Sequence, residues 1–341
     1  MRYGRPVYLS SPSVELGETA LKTPDAVAAG LVPGDVAERS GYRELPVTAQ
    51  APGRLAQRAA LRTLGEAAVA PAELDRVLYA WTYYQGHDFW SPAHHLAGLL
   101  GADRAIPLGI QQMCNGAAAS IELAAQSLTA DPSQQYVLAA TADRFAAPGF
   151  DRWGDLGLAY GDGATAVLIS RRPLGRSARL LASADRAMAQ FEGMHRGCAP
   201  FAAAPGDAAR GPLRPRTTKR EFQQQHPDLD FPEAAKQMLA AVISSALEQA
   251  GIDPAGAGPA VVALPRFAAP SLETYRAHVE DAAGASLVLL GETTGHLGAG
   301  DVVANLADLL GPGGLRIGER IVLVCAGAGF TWSALVLEVS S

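Results

Sequence analysis

Laid on Gly295–Leu310, the stretch Met113–Leu128 matches without a gap: Cys114 falls on His296, Gly116 on Gly298, Ala117 on Ala299 and Leu128 on Leu310. Further on, Val137-Leu138 matches Val322-Leu323. The order of elements also repeats. Leu55–Ala68 has the apolar stripe of an amphipathic helix, followed by a turn and a buried-type strand at Arg76–Thr82; Phe231–Ala250 is again an amphipathic helix, followed by a turn and a strand at Ala260–Leu264. A repeated β/α unit constrains the fold strongly. Two copies meeting face to face bring the two helix starts, and with them Cys114 and His296, to one centre.

Around Cys114 the reading is strand (Ala105–Ile110), sharp turn, helix (Ala117–Leu128), with the thiol at or just before the helix N-terminus. Backbone N–H groups there lack partners and the helix dipole favours negative charge, which in general promotes the nucleophilic thiolate. The small residues Gly116–Ala119 leave room for an approaching group. A free cysteine can equally be a small buried hydrophobe, and this segment alone leaves both readings open.

The remaining pattern fills in the two halves, 1–170 and 171–341. Val36–Glu44 reads as a short helix ended by Gly41, Tyr83–Pro92 as an aromatic loop, and Ala93–Leu100 as a helix. Strands are expected at Tyr136–Ala142, Ala164–Ser170, Leu287–Leu290, Arg320–Ala326 and Thr331–Val339, with a helix at Asp301–Leu310. Ala199–Arg220, rich in Ala, Pro, Gly and Arg, reads as a mobile insertion or lid.

Composition excludes several classes. A net charge of −6 argues against nucleic acid as a partner. Three widely spaced cysteines make no disulfide framework, and the short apolar run Val7-Tyr8-Leu9 is no signal peptide, so a cytoplasmic protein without membrane contact is expected. His195 and Cys198 stand three apart but have no second pair at ligand spacing, so no metal is expected. Gly327-Ala328-Gly329 is followed by a strand rather than a helix, which removes a dinucleotide reading, and no cofactor is expected. Asp162 reads as the turn residue of a Gly-Asp-Gly bend.

Cys114 with its small-residue helix, Gly161-Asp162-Gly163-Ala164-Thr165-Ala166 before a strand, Gly295–Ala304 and Gly327-Ala328-Gly329-Phe330-Thr331-Trp332 together resemble the thiolase superfamily, and within it the ketoacyl-ACP synthase III group. The resemblance implies an α/β fold of five layers, α-β-α-β-α, built by duplication, and a homodimer. It implies that Cys114 accepts the acyl group and that the backbone N–H groups of Cys114 and Ala328 form the oxyanion hole. It also implies that the loop carrying Phe89 and Trp90 crosses the dimer interface to close the partner's pocket; a plain surface loop is the alternative.

Condensing members of that group polarise a malonyl thioester with a histidine after a second-half strand and an asparagine in a glycine-rich turn. Here Leu264–Ala269 contains no histidine, and His296 stands at the asparagine position. What remains is a cysteine, a histidine and an acid. His296 can deprotonate Cys114 and then an incoming hydroxyl or amine, with Asp301 holding the imidazole tautomer. Residues i and i+5 of one helix lie about 140° apart and do not meet, so the pairing needs His296 in the turn and Asp301 in the first helical turn. Asp301 as a plain helix cap and His296 as a turn residue are the alternatives.

This set resembles the acyltransferase branch of the family, found in natural-product pathways. The expected activity is transfer of an acyl group, an aryl group of the 6-methylsalicylyl type among the choices, from an acyl-carrier protein, a polyketide synthase carrier domain or CoA to a hydroxyl or amine of a small-molecule acceptor. His195, preceding the Ala199–Arg220 segment, is a candidate pocket residue. A starter-unit condensing enzyme and a catalytically silent synthase subunit are the competing readings.

Overall fold

The computed structural model describes residues 1–203, 211–256 and 258–341. The first half runs β1 (Tyr8–Leu16), β2 (Thr19–Lys22), α1 (Thr23–Ala28), α2 (Gly34–Ser40), β3 (Glu44–Val47), α3 (Pro52–Ala67), β4 (Arg76–Ala80), α4 (Pro92–Leu100), β5 (Ile106–Ile110), α5 (Gly116–Ala130), β6 (Tyr136–Asp143) and β7 (Gly163–Ser170). The second runs β8 (Ser177–Ala187), α6 (Gly193–Arg196), α7 (Pro215–Gln225), α8 (Phe231–Ala250), β9 (Val261–Ala263), α9 (Ala269–Ala283), β10 (Ser286–Val288), α10 (Asp301–Leu309), β11 (Arg320–Gly327) and β12 (Thr331–Val339).

Ten strands form one sheet in the order β10-β9-β11-β12-β8-β1-β7-β6-β4-β5. Outward from the antiparallel β8–β1 junction, the order β1-β7-β6-β4-β5 repeats as β8-β12-β11-β9-β10. The register repeats too: Val77 pairs with Leu138 as Val262 pairs with Val322, both in parallel ladders. Three cores separate the layers. One packs α3 and α4 on the first half-sheet through Leu55, Leu64, Leu96 and Val77. A second packs α8 and α9 on the other half-sheet through Leu239, Val279, Val322 and Trp332. The third, holding α5 and α10 between the half-sheets, contains Ala117, Ile121, Leu128, Val302, Leu306, Val167 and Leu323.

That sandwich explains the residue choice. Strands β6 and β7 are covered on both faces and are buried along their whole length, which favours continuous apolar runs over alternation. Helices α5 and α10 must approach closely: a Cβ on Gly116 would meet the Ala80 Cβ at 2.8 Å and the Ala299 Cβ at 3.3 Å. Gly41 ends α2 in the left-handed conformation (φ 79°), as the sequence pattern requires.

Three readings need correction. Strand β8 and helix α9 were not legible in the pattern, the first because its burial does not alternate and its end Asp185–Ala187 is exposed throughout, the second because its buried stripe is only Leu272, Val279 and Ala283. The segment 199–220 is not one lid. Residues 215–220 begin α7, whose Phe222 is buried against Phe191 and whose Lys219 reaches the interior; residues 204–210 lie outside those described. Asp162 is more than a turn residue. It is fully buried and accepts from the backbone N–H groups of Thr48 and Phe145 and from the Arg152 guanidinium.

Candidate active site

The chain enters the site through β5 and turns sharply at Met113, whose φ of +50° puts a non-glycine residue in the left-handed region. Met113–Asn115 form a single tight turn that feeds α5, so Cys114 stands just ahead of the helix. The turn closes on itself through Asn115 N–H donating to Gln112 O, and it is held from the other half by the Cys325 thiol, which donates to Cys114 O at 3.1 Å. Gly327 of β11 presses so closely that a Cβ there would lie 2.6 Å from Gln112 O.

In the other half His296 lies in the turn before α10. Gly298 adopts φ +62°, and the Gly298–Gly300 turn leads into α10 at Asp301. Glycine is required at position 298, since a Cβ would fall 2.2 Å from Asp143 Oδ2 as well as straining the backbone. The bend brings His296 and Asp301 together. His296 Nδ1–H donates to Asp301 Oδ2 at 2.5 Å, and Nε2 lies 3.0 Å from Cys114 Sγ. Both His296 and Asp301 are 1% exposed.

Asp301 is the first residue of α10 and makes no cap bond to that helix. Oδ1 accepts from Leu297 N–H at 2.8 Å, and Oδ2 also accepts from Arg266 N–H at 2.8 Å. Burial works against its charge, but the imidazole and the Arg266 guanidinium prevail and hold the carboxyl below the usual aspartate range. For His296, burial works against protonation; the Asp301 charge and the adjacent sulfur outweigh it and raise the imidazole well above its ordinary value.

Two supporting groups escaped the sequence reading. Asp143 ends the apolar strand β6 and is buried; it accepts from Thr82 N–H and Tyr83 N–H and from Ala299 N–H, so one carboxylate ties both halves' loops. Burial raises it to about 6 against those donors. A lone acid at the end of a largely apolar strand was the available signal. Arg266 points away from the thiol, donating to Asn305, Thr294 and Asp308. Phe267, next to it, faces the site instead, with its ring 6.4 Å from that of His296.

Of the other sequence-selected residues, Ala328 and His195 line cavity walls together with Cys114, whereas Phe89 and Trp90 do not. Phe89 is fully exposed, and Trp90 packs on His87 and His95. The aromatic loop is therefore not part of the walls of the two cavities that Cys114 lines. Among the described residues no group of three or more His, Cys, Asp or Glu side chains is placed to hold a metal ion. No helix there is long and apolar enough to cross a membrane.

Comparison with known proteins now places the chain. Residues 108–187 match the family model for 3-oxoacyl-[acyl-carrier-protein] synthase III, and residues 262–339 match the model for its C-terminal part. A solved structure described as the acyltransferase ChlB3 is 30% identical and superposes with a TM-score of 0.88, covering 98% of each chain. The protein belongs to the 3-oxoacyl-[acyl-carrier-protein] synthase III family. It is an acyl-transferring enzyme with the thiolase-like fold. The 3-oxoacyl-[acyl-carrier-protein] synthase III of Aquifex aeolicus VF5 is similar in fold at 19% identity, with a TM-score of 0.79 and 97% and 99% of the two chains covered. The corresponding enzyme of Pseudomonas aeruginosa PAO1 gives 20%, 0.76, and 99% of both chains. Curated protein sequences give no match.

Proposed function

We propose that this enzyme transfers an acyl group from a carrier-protein or CoA thioester to a hydroxyl or amine of a small molecule, by way of a Cys114 acyl-enzyme and without decarboxylative condensation. The observation that carries the reading is the chain Cys114 Sγ–His296 Nε2–His296 Nδ1–Asp301, with distances of 3.0 and 2.5 Å. His296 takes the Cys114 proton as the sulfur attacks the thioester carbon. The oxyanion faces the backbone N–H groups of Cys114 and Ala328, each such donor being worth about 3 kcal/mol in the transition state. The tetrahedral species collapses, the carrier's C–S bond breaks, and its thiol leaves with the proton from His296. The acceptor then loses its proton to His296 as its oxygen or nitrogen attacks the acyl-enzyme, and collapse frees Cys114, which recovers that proton.

A condensing reaction needs a second hydrogen-bond donor beside His296 to hold the enolate oxygen. Phe267 occupies the neighbouring ground with an apolar ring, which favours transfer over condensation. The acyl group, aryl of the 6-methylsalicylyl type or short-chain, and a place in natural-product and polyketide pathways are part of this proposal; so are a cytoplasmic location, no cofactor beyond the thioester substrate, and a division into halves after Ser170. We also propose a homodimer. Strand β5 pairs on one side only, with β4, and leaves Ile106 and Leu108 exposed on an open sheet edge.

Intact-protein mass spectrometry after mixing with acyl thioesters tests the reading. The expected result is an adduct absent from Cys114→Ala, discharged by amine or alcohol acceptors without CO₂. Discharge only by a malonyl thioester with CO₂ release would mean a condensing enzyme, and no adduct at all would leave a silent subunit.

A further inference from the structure

Cys114 borders two cavities, and Tyr160, His195 and Ala328 stand with it at their junction. The larger, of ≈130 Å³, runs between α8 and α9 and includes Lys219, Ser271 and Tyr275 in its wall. The smaller, of ≈110 Å³, is bounded by aromatic rings of the first half. Phe145 and Tyr160 lie 4.7 Å apart there, Phe150 and Tyr160 4.8 Å, and Tyr83 and Phe150 5.0 Å, between centroids. An acyl group on Sγ puts its carbonyl at the junction and its remainder in one chamber. Both walls are mainly apolar; the larger adds the Lys219 ammonium and the Ser271 and Tyr275 hydroxyls, which suit the amide-bearing arm of a carrier thioester, and the smaller aromatic chamber suits the compact remainder.

His195 at the junction is incompletely satisfied. Its Nδ1 is shielded from solvent and has no hydrogen-bond partner. The neighbouring acid is already engaged: Asp155 accepts from Lys219 Nζ at 2.7 and 2.9 Å and from the Tyr160 hydroxyl at 3.0 Å. Burial first, then the Lys219 charge, lowers the imidazole to about 3, so it stays neutral with one N–H and one lone pair to offer. Buried polar atoms are nearly always paired, and a substrate group in the chamber can supply the partner that the protein side chains do not.

We infer that the aromatic chamber holds the acyl group and that His195 selects acyl groups carrying a hydroxyl or carbonyl substituent near the thioester. The inference rests on the acyl-enzyme reading above. A cavity of about 150 Å³ admits a benzene ring, so this chamber takes a compact acyl group of about one ring or less. Thr82 Oγ1, also in this wall, is likewise buried without a hydrogen-bond partner, so the test substitutes His195 alone to separate the two groups.

The test measures Cys114 acylation rates by intact mass with matched N-acetylcysteamine thioesters: butyryl against 3-hydroxybutyryl, and benzoyl against 2-hydroxybenzoyl. The expected result is a preference of tenfold or more for the hydroxylated member of at least one pair, about the value of one buried hydrogen bond. His195→Leu should bring that ratio to about one, and His195→Asn, which keeps hydrogen-bonding groups, should restore part of it. Acylation with a wild-type ratio near one in both pairs, or a ratio that survives His195→Leu, overturns the inference and leaves the acyltransferase reading intact. No adduct from any donor overturns both.

Discussion

Replacing Asp301 with asparagine removes a charge at nearly constant volume, so the geometry around the carboxylate sets the cost. Asp301 accepts three hydrogen bonds, from His296 Nδ1–H and Arg266 N–H at Oδ2 and from Leu297 N–H at Oδ1. Asparagine has one acceptor oxygen and one NH₂. With the oxygen toward His296 and Arg266, the NH₂ opposes Leu297 N–H. With the NH₂ toward His296, it opposes Arg266 N–H and forces the imidazole proton onto Nε2, where His296 no longer accepts from Cys114. Either orientation leaves a buried donor facing a donor, which costs about 2 kcal/mol and lowers the melting temperature by roughly 3 °C. The imidazole also loses the charge that raises it, so His296 falls toward or below its ordinary value. Acylation at neutral pH, followed by rapid quench and intact mass, should slow by about 10³–10⁴. Stability has a matching sign. Asp301, lowered in the folded state, stabilises above its ordinary value of 3.8 and loses that contribution as pH falls through its folded value; Asp301→Asn should flatten this acid limb. An Asp301→Asn enzyme that stays folded and acylates within threefold of wild type from pH 6 to 9 would refute the claim that the carboxylate sets the His296 tautomer.

Other parts of the molecule give three further expected outcomes. Gly298→Ala should be destabilised by several kcal/mol and lose acylation, since its Cβ meets Asp143 and φ is +62°; chemical denaturation beside the mass assay checks it, and a wild-type denaturation midpoint would contradict it. Glu122, raised to about 7 first by burial and then by its contact with Asp185, binds a proton in the folded state that the unfolded state has released above about 4.5. Stability should therefore decline from pH 5 to pH 7, and Glu122→Gln should gain about 2–3 kcal/mol at pH 8 but little at pH 5, read from urea melts at both pH values; equal effects at the two pH values would contradict it. Leu108→Glu on the open edge of β5 should shift the proposed dimer to monomer in sedimentation velocity, whereas an unchanged dimer would place the interface elsewhere.

The sequence alone carried the repeat, the fold family and most of the regular elements. Helix α8 was legible from end to end because its stripe, its Asp230 cap and the left-handed Gly251 are all local signals. Strand β12 was equally legible, from an apolar run bounded by a glycine turn. The gapless match of Cys114 on His296 also pointed to one shared centre, since a duplicated unit places equivalent turns about a common axis. Local pattern could not supply the partners of those turns. Asp143 and the Arg266-Phe267 pair come from separate stretches of chain, and no spacing rule relates them to the thiol; His195 was a candidate only because it precedes the 199–220 segment. Only tertiary packing decides that Asp143 ties the Thr82 loop to the Ala299 turn and that Phe267 rather than Arg266 faces the thiol. The same packing leaves His195 Nδ1 without a partner. The physical reason is that periodicity and capping act within a few residues, whereas burial, desolvation and hydrogen-bond saturation depend on which distant segments share the same low-dielectric space.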